Sequence, residues 1–274
     1  MDGQHHPLVT CRFSCILLMK SYYFLSGLPR SGSTLLKSLL NQNPNIHCSP
    51  ISPALELMCR NKDWIERTEM QLSLDQKNTF LSSIIDNIYK GYDEEIIIDN
   101  CRAWTSHEDL IREYINPTPK IICTVRDVTE ILTSFIVLLQ SNKSNSFVDQ
   151  KIVGEITTEK RCETLLGEGL GRSLQSLKMG KNVMFVEYND LISQPHKTLN
   201  KIYDYLGIKE YSHDLNNIVN QHQEIDTTWG IDNMHRVRPK LEKTSHNPYD
   251  VLGEELVMKY SGMEFWRKPK MFLL

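Results

Sequence analysis

Short apolar runs alternate with amphipathic stretches along most of the chain. Residues 22–25, 96–98, 120–125 and 183–186 are runs of three to six mainly apolar positions bounded by turn formers or polar residues. Runs of that length predict strands buried on both faces. Ile46-His47-Cys48 is a weaker, shorter strand pattern. Between these runs the apolar positions recur at helical spacing. Leu35, Leu36, Leu39 and Leu40 share one face, as do Phe80, Leu81, Ile84, Ile85 and Ile88 within a helix expected over 74–89 and ended by Gly91. Asp127-Val128-Thr129-Glu130 has capping-box spacing and opens a helix that continues through Leu132, Phe135, Ile136 and Leu139. Residues 157–179 read as helical, weakened by Gly167, Gly169 and Gly171, and 195–206 as a helix stopped by Gly207. Ser49-Pro50-Ile51-Ser52-Pro53 reads as a rigid loop, with Ser52 and Pro53 placed to start a helix through about Arg60. Residues 141–153 are polar and read as a surface loop; the chain from His222 onward is irregular.

Strands alternating with helices predict an α/β fold, a mostly parallel sheet covered on both faces. In such sheets ligands bind at the carboxyl ends of the strands. Cys15-Ile16-Leu17-Leu18-Met19 is too short for a signal core or a membrane span, so no membrane partner is expected. The folded unit is expected to start near Met19, with residues 1–18 a disordered N-terminal extension and 19–274 a single domain.

Composition narrows the function. Net charge is −3, so no global basic field points to nucleic acid. The seven cysteines form no C-x-x-C pair, which argues for a reducing, cytoplasmic setting and against a zinc ribbon. No H-x-x-x-H pair occurs among the nine histidines, and no metal site is expected.

The chemistry concentrates in Gly27-Leu28-Pro29-Arg30-Ser31-Gly32-Ser33-Thr34, between the first strand and the first helix. A helix start presents unpaired N–H groups and the positive end of its dipole, a ready phosphate site. Gly27, Gly32 and Thr34 fit the nucleotide-loop pattern G-x-x-x-x-G-K-[ST], but Ser33 stands where the lysine belongs and the cation is Arg30 instead. The plainer alternative is a capped strand-turn-helix connection. Asp99 closes a strand as a magnesium-binding carboxylate would, which keeps a nucleotide-dependent kinase open; a polar strand end is the alternative. Arg126 and Tyr188 follow two further strands. The basic run His235-Arg236-Val237-Arg238-Pro239-Lys240 is either a solvated loop or a flap over an anionic ligand.

Pro29-Arg30-Ser31-Gly32-Ser33-Thr34 resembles the 5′-phosphosulfate loop of sulfotransferases, in the arginine-bearing version of tyrosylprotein and of bacterial and phage-type enzymes. Arg126 and Ser134, eight positions apart, resemble that family's 3′-phosphate pair, and Val186-Glu187-Tyr188 through Gly207 resembles its third block. The run with Arg236, Arg238 and Lys240 is similar to its C-terminal cofactor loop. Together the similarity covers roughly residues 20–245. It implies a three-layer P-loop-like fold with a central mostly parallel sheet flanked by helices. It also implies 3′-phosphoadenosine 5′-phosphosulfate (PAPS) as the sulfuryl donor, with no metal, and a hydroxyl-bearing acceptor. Arg30, Ser31, Gly32, Ser33 and Thr34 would then hold the phosphosulfate, Arg30 acting also in catalysis as the cation at the leaving phosphate, with Tyr188 beside the cofactor. A non-catalytic nucleotide-binding module is the third possibility. One departure stands out: where tyrosylprotein sulfotransferases place an acidic base after the first helix, this chain has Ser49-Pro50-Ile51. Asp99 and His107 are the local candidates for the catalytic base, with Arg102 and Trp104 as acceptor-pocket residues.

Overall fold

The structure, a computed structural model, describes residues 20–67, 72–142, 157–222, 224, 226, 231–243 and 246–268. The expectations for residues 1–18, and nearly all of those for 141–153, lie outside these residues. Five strands form one sheet in the order β2-β3-β1-β4-β5, every neighbouring pair parallel. They are β1 Ser21–Gly27, β2 Ile46–Ile51, β3 Ile96–Asn100, β4 Ile121–Val125 and β5 Val183–Glu187. β4, inside the sheet between β1 and β5, is buried along its whole length, as a strand covered on both faces is.

Pleating sends successive side chains to opposite sides. Leu25, Ile98 and Ile122 pack with Leu36, Leu39 and Leu40 of helix α1 (Ser33–Leu40) and with Leu199, Ile202 and Leu206 of a later helix, Pro195–Leu206. Their neighbours Phe24, Ile97 and Ile121 face the other way, onto Met58, Ile85, Trp104 and Ile111. A third cluster joins Cys123 and Val125 to Leu132, Phe135 and Ile136 of the helix Val128–Ser141 and to the C-terminal helices.

Several boundaries differ from expectation for local physical reasons. The stretch read as a rigid loop is partly strand: β2 runs through Pro50 to Ile51, which an edge position permits because one side of the strand needs no ladder donor. The helix after it spans Ala54–Arg67, about two further turns beyond Arg60. Residues 61–67 contain no breaker, Ile65 is buried, and Asp63–Arg67 pairs at i,i+4. The glycine-rich helix divides at Glu168 into Thr158–Gly167 and Gly169–Met179; Gly171 sits where a Cβ would lie 1.8 Å from the Leu166 carbonyl oxygen. At the start of Val128–Ser141 no capping box forms. The Val128 N–H donates instead to Glu264, 2.8 Å away and remote in sequence. Helices Pro248–Leu252 and Glu254–Tyr260 order the region read as irregular.

Candidate active site

The loop after β1 is built to bring backbone to a ligand. Gly27 has φ 153°, and a Cβ there would meet the Thr124 Oγ1 at 2.3 Å. The Leu28 N–H donates to the Thr124 carbonyl oxygen at 2.9 Å, tying the loop to β4. Ser31 is fully buried, its hydroxyl 2.6 Å from the Leu28 carbonyl oxygen and 2.9 Å from that of Thr124. It therefore supports the loop from beneath. Gly32 caps α1 with φ 91° and no side-chain partner. Among the described residues, the N–H groups of Ser31, Gly32, Ser33 and Thr34 have no backbone acceptor. They are the free donors of a helix start.

Arg30 adopts a left-handed φ of 60°, uncommon for a residue with a Cβ. Its Nε donates to Ser134 Oγ at 3.1 Å, and its terminal nitrogen donates to the Met234 carbonyl oxygen. Arg126 meets the same place from β4. Its Nε pairs with Glu130 at 2.7 Å, and a terminal nitrogen lies 3.4 Å from the Arg30 carbonyl oxygen. The guanidinium carbon is 4.2 Å from the Tyr188 ring centre, a cation–π stack. Tyr188 in turn covers Gly32, where a Cβ would come within 2.7 Å of its Cδ2. Ser134 therefore meets Arg30 directly, while Arg126 has an acidic neighbour that periodicity did not reveal as a partner.

This stack supplies a test of the loop. Gly32→Ala would strain a positive φ and push Tyr188 off its seat, and a cost of about 1–3 kcal/mol is expected. Chemical denaturation should show a lowered midpoint, with nucleotide binding weakened as well; an unchanged midpoint and affinity would mean that the loop adapts freely.

The basic run forms the opposite wall. The Ile218 N–H donates to the Pro239 carbonyl oxygen at 2.7 Å and the Leu241 N–H to that of Leu215 at 2.9 Å. Val237 and Leu241 pack on the core beside α1. Arg236, Arg238 and Lys240 then line one cleft with Arg30, Arg102 and Arg126, together with Gly32, Ser33, Thr34, Ser134 and Tyr188. Six cations therefore face a single opening, and Glu242, paired with Arg238 at 3.1 Å, is the only acid lining it among the described residues. A second cleft adjoins it along Thr133, Val137 and Ser141. Burial lowers the pKa of Arg30, and Arg126 beside it adds to that. Burial also lowers that of Arg102. An anion entering the cleft relieves both penalties.

Sequence reasoning missed a charged relay behind this wall. Lys37, fully buried on α1, pairs with Glu224. His235 lines the cleft with Nε2 2.7 Å from Glu224 and Nδ1 2.6 Å from Asp226. Burial opposes charge on Glu224, but His235 and Lys37 outweigh it and hold the carboxyl at about 2. Burial likewise opposes the His235 cation, and the two carboxylates outweigh it and raise its pKa. A lysine within an apolar helix was the available signal.

Asp99 and His107 stand apart from this cleft. Asp99 is fully buried, accepting from the Tyr89 hydroxyl and the Trp104 indole N–H, each at 2.7 Å. Burial raises its pKa. His107 Nδ1 lies 2.9 Å from the Ala103 carbonyl oxygen and 3.1 Å from Ser106 Oγ. Neither lines the opening, because both Asp99 oxygens are turned into the core and His107 is turned back onto its own turn. Among the described residues no three His, Cys, Asp or Glu side chains gather as metal ligands, and no helix is long and apolar enough to cross a membrane. Trp229 and Gly230, which stand out in the sequence just before the basic run, lie outside the described residues.

A family model described as "Sulfotransferase family" matches residues 23–213. The chain is similar to protein-tyrosine sulfotransferase 1 of Danio rerio, with 19% identity over 248 residues, 87% of this chain and 65% of that protein. It is similar also to protein-tyrosine sulfotransferase A of Caenorhabditis elegans, with 19% identity over 196 residues, 68% of this chain and 50% of that protein. It thus spans about half to two thirds of the length of these relatives. Among solved structures it resembles the sulfotransferase domain from the Synechococcus PCC 7002 olefin synthase, with TM-score 0.44 and 19% identity, covering 87% of this chain and 95% of that one.

Proposed function

The chain belongs to the sulfotransferase family, and on that premise we propose that it transfers a sulfuryl group from PAPS to a hydroxyl acceptor. The observation that carries this reading is the convergence of Arg30, Arg126 and Ser134 with the open N–H groups of Gly32, Ser33 and Thr34. Such a cleft fits an anion with phosphates at two ends, and it lacks the lysine that a terminal triphosphate requires.

PAPS supplies an SO₃ group already bonded to a good leaving phosphate. The acceptor oxygen bonds to sulfur, giving up its hydroxyl proton to water in the open cleft, as the bond from sulfur to the 5′-phosphate oxygen breaks. Negative charge then grows on that phosphate. Arg30 and the N–H groups at the head of α1 are placed to stabilise it, as preorganised donors do most effectively where charge develops. Arg126, joined by Ser134, takes the 3′-phosphate, using the planar fork that matches phosphate oxygens. Arg236, Arg238 and Lys240 close the anionic face. Asp99 serves the scaffold in this reading, since a general base must reach the acceptor proton and its oxygens are already engaged.

Because fixed cations do the work of magnesium here, transfer is expected to persist in excess chelator. A labelled-PAPS assay with and without chelator checks this. Strict magnesium dependence accompanied by ATP consumption would instead favour the kinase reading.

A further inference from the structure

Arg267 lines neither cleft, yet its guanidinium pairs with two carboxylates that flank the site residues in sequence. Its terminal nitrogens donate to Asp127 at 2.8 and 3.1 Å. Its Nε and one terminal nitrogen donate to Glu187 at 2.6 and 2.8 Å. The neighbouring Trp266 indole N–H reaches the same Glu187 oxygen at 2.8 Å. Glu264, nearly buried, takes the Val128 N–H. One short segment therefore holds two carboxylates, one at the helix start just after β4 and one at the end of β5.

The two carboxylates have telling neighbours. Asp127 follows Arg126, and Glu187 precedes Tyr188. The ladder between β4 and β5 ends at the pair Val125 and Glu187. Arg126 and Tyr188 are the first residues past that last pair, where the ladder hydrogen bonds stop and the two chains turn into separate helices. The bidentate fork of an arginine is well suited to fixing the separation of two such chain ends.

We propose that Arg267 is a positioning residue: it clasps the carboxyl ends of β4 and β5, and so holds Arg126 and Tyr188 stacked above Gly32 in the geometry that receives the nucleotide. This rests on the function proposed above for Arg126. Arg267 touches no ligand itself. It acts through Asp127 on the arginine and through Glu187 on the tyrosine.

The test compares calorimetric binding of 3′,5′-bisphosphoadenosine (PAP) and of adenosine 5′-phosphosulfate, which lacks the 3′-phosphate. Arg267→Ala is expected to weaken PAP about tenfold, the scale of coupling between residues that act as a unit, and adenosine 5′-phosphosulfate less than about twofold. Turnover at saturating PAPS should change far less than KM. In an Arg126→Ala background the further loss on Arg267→Ala should nearly vanish. Arg267→Lys, which keeps the charge and loses the fork, should fall between and covers the case in which Arg267→Ala does not fold. Full additivity with Arg126→Ala, or a lowered melting temperature with unchanged affinities, would overturn the proposal. Amide exchange in the free chain reads the clasp without nucleotide: the Val128 N–H should exchange faster in Arg267→Lys. Wild-type protein that fails to bind PAP would defeat the functional reading alone, whereas unchanged exchange would defeat the clasp.

Discussion

Arg30→Ala is expected to slow sulfuryl transfer about a hundredfold, the scale of losing one donor aimed at charge that develops in the transition state. The structure argues that this loss falls on turnover rather than on folding. The side chain spans the cleft to Ser134 and to the Met234 carbonyl oxygen, both of which solvent can satisfy once it is gone. Removing it also removes repulsion, because it sits beside Arg126 in a setting that already lowers its pKa. One structural cost remains: alanine tolerates the φ of 60° at this position poorly. Arg30→Gly serves as a second variant free of that strain. Turnover at saturating PAPS and thermal melting, measured together, check the assignment. A folded variant of either kind turning over near the wild-type rate would remove Arg30 from the chemistry.

The second large effect concerns Arg126, and it separates PAPS from ATP. Arg126→Ala should weaken PAP by about 1.5–3 kcal/mol, the range for a hydrogen bond to a charged group. It should barely alter the affinity for adenosine 5′-phosphosulfate. The ion pair with Glu130 complicates the reading in a definite way. Without Arg126 that carboxylate is left facing the 3′-phosphate, and part of the loss comes from its repulsion. Arg126→Ala combined with Glu130→Gln should therefore recover a fraction of the affinity. Equal losses for the two nucleotides would mean that Arg126 is structural, or that the donor is not PAPS.

Much of this architecture was legible in the residue pattern, and the reasons are physical. Tyr22 to Leu25, Ile96 to Ile98 and Ile121 to Val125 are short and apolar because each lies within a covered parallel sheet, which periodicity reports well. The loop from Gly27 to Thr34 was legible because a positive φ and a close approach to Thr124 and Tyr188 demand glycine at set spacing. Contacts remote in sequence were not. Nothing near Val128 announces that Glu264 will cap it, and nothing near Glu187 announces Arg267. Ser31 reads as a ligand donor by its place in the loop, yet its hydroxyl faces β4. Asp99 reads as a site acid from its strand end, and only packing against Tyr89 and Trp104 reveals where its oxygens point. Lys37 stands out in the apolar run around it, but its partner Glu224 arrives from the far end of the chain.

Calorimetric titration of the wild-type chain with PAP, in excess chelator, tests the central claim without knowledge of the acceptor. The account predicts one saturable site whose affinity falls steeply as salt is raised, since several arginine and lysine side chains meet the phosphates there. Magnesium–ATP should bind far more weakly under matched conditions. Saturable binding of magnesium–ATP with no detectable binding of PAP would contradict it.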